Sequence, residues 1–153
     1  MDRIDKRILT LLQDDATLSV SDIADSVGLT TTPCWRRIQA LEKSGVISRR
    51  VAVLDPGKIN LGLTVFVRLR TSRHDAEWLE KFARRVPEIP EIVEIYRMSG
   101  DVDYLLKVVV PDIEGYDAVY KRLISIAEFA DVSSNFAMEQ IKMTTALPLD
   151  HLA

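Results

Sequence analysis

Thr32, Arg36, Gln39 and Lys43 recur every three or four residues in the stretch TTPCWRRIQALEK. At roughly 100° per residue they fall on one side of a helix, while Cys34, Ile38 and Leu41 fall on the other. These residue types form a set that reads duplex DNA. Arginine forks onto guanine O6 and N7, glutamine pairs with adenine, and lysine meets phosphate. Trp35 and Arg37 take the two flanks, and Ser21 and Thr31, just upstream, join the candidate DNA contacts. The same wheel describes an ordinary amphipathic surface helix, so the pattern alone leaves both readings open.

Such a helix needs a scaffold, and the flanking sequence supplies one. Ser19 caps a preceding helix, with Asp22 three residues on to complete a capping box. Val20, Ile23, Ala24 and Val27 share one face of it, and Gly28 suits a left-handed C-terminal cap. Thr31 or Thr32 then caps the reading helix, and Pro33 fits its first turn. Upstream, Asp2 caps a first helix whose stripe is Ile4, Ile8, Leu11 and Leu12, ending near Gln13. After Gly45, the residues Val46, Ile47, Val51 and Val53 predict a short strand or hairpin, a wing, with Arg49 and Arg50 placed to touch phosphates. A solvated strand edge explains the arginine pair equally well. Asp55-Pro56-Gly57 is a turn. It closes a domain over residues 1–55, with the helix-turn-helix at about 21–40, and opens a hinge over 56–62.

Residues 63–153 alternate strand and helix signals. Leu63–Leu69, Ile92–Met98 and Tyr104–Val110 read as strands. The last strand material lies in Val132–Ile141, with Lys142–Ala146 as an extension. A helix over Asp75–Val86 turns Trp78, Leu79, Phe82, Ala83 and Val86 inward, and another from Asp112 turns Ile113, Tyr116, Tyr120, Leu123 and Ile124 inward. The order β-α-β-β-α-β specifies a ferredoxin-like antiparallel sheet with both helices on one face. The fold class is α+β: a winged helix-turn-helix followed by a ferredoxin-like domain. Phe66, Tyr96, Leu105 and Phe136 are candidates for the other sheet face, which a second copy would cover, giving a dimer.

Composition narrows the setting. The chain has 153 residues, 47% apolar and 28% charged, enough for a packed core. No run approaches the roughly 18 apolar residues of a membrane span, and the charged start MDRIDKRILTLLQDD lacks a signal-peptide core. The one cysteine fits a reducing compartment, so the expected location is cytoplasmic. Net charge is −3, with residues 1–55 neutral and the deficit carried by the remainder. A local basic face under a neutral total implies that two or more copies share DNA binding. Cys34 lies on the buried face and reads as core rather than as a thiol sensor. His74 and His151 stand alone, with no metal-ligand spacing. Asp101 and Asp103 have neither a nucleophile nor a phosphate loop beside them, so neither an enzymatic site nor a cofactor is expected.

The pieces DRIDKRIL, TTPCWRRIQALEKSGVI, VAVLDP, MSGDVDYLLKVVVPD and FAMEQIK together resemble the leucine-responsive regulatory protein/AsnC (feast/famine) transcriptional regulators over nearly the whole chain. The resemblance implies a DNA-binding regulator of amino-acid metabolism or transport genes. It further implies dimers through the C-terminal sheet, often joined as a tetramer of dimers into octamers, with an amino-acid effector where dimers meet. Physically, Ser99-Gly100-Asp101-Val102-Asp103-Tyr104 is a turn in which Gly100 permits close backbone approach and Asp101 or Asp103 meets an α-ammonium. A plain hairpin whose aspartates satisfy turn N–H groups is the competing reading. By position the resemblance adds Asp112, Ser134 and Phe136 to the effector region, although Ser133-Ser134-Asn135 departs from the threonines common there. Two alternatives stand beside a ligand-responsive regulator. One is an architectural DNA-binding protein without an effector; the other is a metabolite-binding or enzymatic ferredoxin-like dimer.

Overall fold

Three helices build the N-terminal unit: α1 (Arg3–Asp14), α2 (Val20–Val27) and α3 (Thr31–Lys43). The computed structural model describes residues 1–73 and 75–152, so His74 lies outside the described residues. Asp2 and Asp5 close one capping box at the start of α1, and Ser19 and Asp22 close another at α2. Each pair satisfies N–H groups that have no partner inside the helix. Gly28 ends α2 at φ 72°, a left-handed conformation that glycine adopts without steric cost. The cap of α3 falls one residue earlier than the sequence predicts. Thr30 holds it, and its side chain makes no capping bond. Ile8, Leu9, Ile23, Ala24, Cys34, Ile38 and Leu41 form the buried cluster.

The predicted wing strand is absent: residues 46–54 carry neither strand nor helix, and Val51 and Val53 are exposed. No other segment of the described residues pairs with them, so nothing fixes a ladder there. The C-terminal segment also departs from expectation. From Ile141 onward the chain belongs to the N-terminal compact unit, not to the second domain. Leu147 N–H donates to Gln13 Oε1 at 2.7 Å, and Gln13 Nε2 donates back to the Leu147 carbonyl at 3.2 Å. The Lys6 ammonium donates to the Leu152 carbonyl, and Leu149 packs on the three-helix core. This two-way amide clamp does for one backbone position what a strand neighbour would do.

The second compact unit, Leu54–Gln140, holds β1 (Leu63–Arg70), α4 (Ala76–Arg85), β2 (Ile92–Arg97), β3 (Tyr104–Val110), α5 (Ile113–Ile126) and β4 (Asp131–Phe136). The strands order β2-β3-β1-β4, each pair antiparallel. Val65, Val67, Leu69, Leu106, Val108 and Val110 pack with Trp78 and Phe82 of α4 and Val119 and Leu123 of α5 in one core. Trp78 stacks on Phe82 with ring centroids 5.0 Å apart, and its indole N–H donates to the Glu128 carbonyl at 2.9 Å.

The helix stripes are narrower than expected. Leu79 and Ala83 of α4, and Ile113 and Ile124 of α5, are exposed. A helix laid on a sheet buries one line of residues, here Trp78–Phe82 and Tyr116–Val119–Leu123, and turns adjacent positions outward. Phe136 also moves. It pairs with the inward Val65 and meets the Tyr116 ring edge-on at 5.4 Å, so it lies on the helix side of the sheet. Phe66, Leu105 and Tyr96 do face the other side, because they alternate with buried neighbours or pair with residues that do.

Candidate functional site

On α3 the burial follows the helical period: Cys34, Ile38 and Leu41 are buried, while Thr31, Thr32, Trp35, Arg36, Gln39 and Lys43 are exposed. The buried row anchors the helix to α1 and α2, so the exposed row is held as a rigid face. Burial pushes the Cys34 thiol up from its usual value, which suits an inert core thiol. Ser21 is exposed on the first turn of α2, and Arg49 is exposed in the segment after α3. The Arg36 side chain makes no hydrogen bond or ion pair among the described residues.

Arg37 is placed differently from the reading given by its flank position. Its guanidinium donates to Asp2 Oδ2 and Asp5 Oδ1, each at 2.7 Å. These contacts tie α3 to the capping box of α1, so Arg37 is removed from the groove-facing set. The Asp5 hydrogen bond, then that of Asp2, raises the guanidinium above its ordinary value. The Asp5 N–H, then Arg37, holds the Asp2 carboxyl below its ordinary 3.8. A lowered carboxylate contributes stability above its unfolded value and loses it only as pH falls through the folded value, so this tie persists at neutral pH. Arg37→Ala is expected to cost the N-terminal unit about 1 kcal/mol, as partly exposed pairs do, and to leave base preference unchanged. Urea unfolding and a competition binding assay check the two halves of that statement.

Glu42 lies beside this row on α3 and is not among the residues that the sequence singles out. It accepts from Gln39 Nε2 and from Arg50, both at 2.9 Å. The i,i+3 spacing of Gln39 and Glu42 was the legible signal; the Arg50 contact depends on the unpredicted path of the chain after α3.

The eight effector candidates do not converge within one chain. Ser99, Gly100, Asp101 and Asp103 sit in the turn before β3, where Gly100 takes φ 103°. Asp112 lies beyond the other end of β3, roughly 20 Å away at strand rise. Two of the assignments change. Tyr104 points into the helix-side core against Phe82, with centroids 4.4 Å apart, and is not available to a solute. Asp103 serves the fold: its carboxylate accepts from Thr71 N–H at 2.8 Å, and its own N–H donates to Leu69. Asp112 caps α5 by accepting from Gly115 N–H at 2.8 Å. Ser134 shares a hydrogen bond with the Tyr116 hydroxyl, whose ionisation burial pushes up. Among the described residues no group of His, Cys, Asp and Glu side chains gathers as a metal site requires. No helix among them is long and apolar enough to cross a membrane.

A helix-turn-helix unit that turns a polar, arginine-bearing helix to solvent, on the same chain as a four-stranded α+β unit, defines a DNA-binding regulator with a separate C-terminal domain. Residues 1–48 match the winged helix-turn-helix DNA-binding family, and residues 64–147 match the Lrp/AsnC ligand binding domain. The chain belongs to the Lrp/AsnC family of transcriptional regulators. It is 50% identical over 151 residues to the DNA-binding transcriptional activator DecR of Escherichia coli K12, covering 98% of this chain and 99% of the relative. It is 49% identical to a glutamate uptake regulatory protein of Zymomonas mobilis, covering 97% and 91%. An AsnC family regulator from Agrobacterium tumefaciens superimposes with a TM-score of 0.97 at 64% identity over the whole of both chains. A Neisseria meningitidis regulator solved in complex with L-Met superimposes with a TM-score of 0.95 at 34% identity, covering 100% and 99%.

Proposed function

We propose that α3 enters the DNA major groove, with Arg36 and Gln39 at base edges and Thr32, Lys43 and Arg49 at the backbone. The C-terminal unit pairs copies of the chain and takes up a small amino acid that shifts assembly or DNA affinity. The observation that carries the first part is the exposed Thr32–Arg36–Gln39–Lys43 row, set opposite the buried Cys34–Ile38–Leu41 row on one helix. Dimerisation is supported by the outward sheet face, where Phe66 is 38% and Tyr96 51% exposed in a single chain. An octamer built from four dimers follows the same reading. The amino-acid effector is supported by the match to the ligand binding domain and by the L-Met complex of the Neisseria relative. The genes controlled are those of amino-acid metabolism or transport, and the protein works in the cytoplasm by binding rather than by catalysis. The effector acts by binding different assemblies with different affinity, since a ligand moves an equilibrium only by that difference.

Gel-shift titrations with selected genomic fragments test this reading. A dimer making about six phosphate contacts is expected to lose about 10³-fold in affinity between roughly 50 and roughly 200 mM salt. A flat salt response argues against groove binding. A second reading, an architectural protein without an effector, is favoured by one observation: Asp103, Asp112 and Ser134 are all engaged within the fold. Calorimetry against the twenty amino acids separates the two, and a panel without heat favours the second.

A further inference from the structure

Glu42 stands on the last turn of α3, half-buried at the edge of the exposed row. By helical period it lies about 60° from Gln39 and about 120° from Arg36, on the side toward Ile38. Its two carboxylate oxygens are divided. Oε2 accepts from Gln39 Nε2 and Oε1 from the Arg50 guanidinium, both at 2.9 Å. All three residues belong to the N-terminal compact unit. Helix stability does not account for an acid here, because the C-terminal end of a helix is negative and favours a base such as the neighbouring Lys43. Arg49, next to Arg50, is exposed and makes no hydrogen bond or ion pair among the described residues. The segment after α3 thus offers one arginine to solvent and holds the other on the helix.

We propose that Glu42 is a positioning residue for base reading: it sets the Gln39 amide for adenine and withholds the Arg50 charge from phosphate. The proposal rests on the groove-binding reading above. An ionised carboxylate accepts hydrogen bonds and cannot donate them, so it takes the NH2 of the glutamine amide and repels its oxygen. That fixes which way round the amide sits. One Nε2 hydrogen is spent on Glu42, and Oε1 and the second hydrogen remain. Those two are the acceptor and donor that adenine N6 and N7 require. An unheld amide turns over and presents either order, so its preference for adenine is weaker. Arg50 paired with Glu42 brings no net charge to a phosphate. Freed, it adds an attraction that is blind to sequence. Specificity is a difference between affinities, and an acid beside the reading row lowers the affinity for the wrong DNA.

The test is a competition gel shift on the full chain with three kinds of duplex. These are a fragment that the wild type selects from genomic DNA, copies of it with single A·T pairs replaced by G·C, and an unrelated duplex of equal length. Gln39→Ala marks the pair that Gln39 reads, as the position where preference is lost. Glu42→Gln keeps the size but can both donate and accept, so it no longer fixes the amide. It is expected to reduce preference at that same pair by about fivefold or more. Affinity for the unrelated duplex is expected to rise, with a salt slope steeper by about one ion. Thermal melting is expected to stay unchanged, since an exposed ion pair contributes little. In a Gln39→Ala background Glu42→Gln is expected to alter no base preference, and in an Arg50→Ala background to leave the salt slope alone. A loss of preference that persists without Gln39, or a steeper slope with preference intact, overturns the positioning role. If the wild type discriminates and Glu42→Gln changes neither preference nor slope, Glu42 is a plain surface acid and the groove-binding reading survives. If the wild type does not distinguish the selected fragment from the unrelated duplex, both fall.

Discussion

Ile38→Ala is expected to unfold the N-terminal unit and abolish DNA binding on every sequence, while the C-terminal unit stays folded. Ile38 is 2% exposed and sits, among the described residues, in a small buried cluster with Ile8, Leu9, Ile23, Ala24, Cys34 and Leu41. Removing its side chain costs about 2–5 kcal/mol, because transfer and cavity terms add. A unit of this size commands only about 3–5 kcal/mol from its core, so the loss is comparable to the whole. The second unit has its own, larger core and shares none of these buried side chains. Two-transition calorimetry reads the result: the transition of the N-terminal unit disappears or drops well below ambient use, and the other stays. Tryptophan emission gives a second channel, since Trp78 is buried in the C-terminal core and Trp35 is half-exposed on α3. Ile38→Val, at about 0.5–1.5 kcal/mol, keeps the fold and the binding. Equal displacement of both transitions would show that the units unfold as one.

What the sequence made legible was local. The Asp2 cap, the Ser19–Asp22 capping box, the left-handed Gly28 and the buried faces of α2 and α3 follow from residues within a few positions of each other, whereas on α1 the buried Leu9 lies off the expected stripe. The succession of strands and helices along the second unit followed from the alternation of apolar runs and helical stripes. Several misses involve partners distant in the chain. Arg37 is claimed by Asp2 and Asp5 at the chain start, and periodicity places it on a flank without knowing that. The Gln13–Leu147 clamp spans nearly the whole sequence, and so the residues after Ile141 looked like part of the second domain. Phe136 was one register step from the outer face, and one step reverses every side chain of a strand. Tyr104 and Asp103 sit inside a segment that resembles an effector loop, yet one fills the core and the other satisfies Thr71 N–H.

Arg36→Ala is expected to cost about 1–3 kcal/mol at the specific site, on the order of 10- to 100-fold, and little on unrelated DNA. The distinction from Arg37 carries the argument. One turn of helix holds two adjacent arginines, and the fold uses one of them: Arg37 closes onto two carboxylates, while Arg36 projects to solvent without a partner among the described residues. A guanidinium held off any internal carboxylate by a helix whose opposite face is buried has its fork free for guanine O6 and N7. Arg36→Lys keeps the charge but loses the fork, so it is expected to restore non-specific affinity without restoring base preference. Lys43→Ala supplies the contrast. A phosphate contact lowers affinity nearly uniformly and flattens the salt slope by about one ion, with sequence preference intact. Competition gel shifts with base-substituted sites read all three variants together. If Arg36→Ala weakens every DNA equally, Arg36 is a backbone contact and base reading falls to Gln39, whose amide Glu42 already orients.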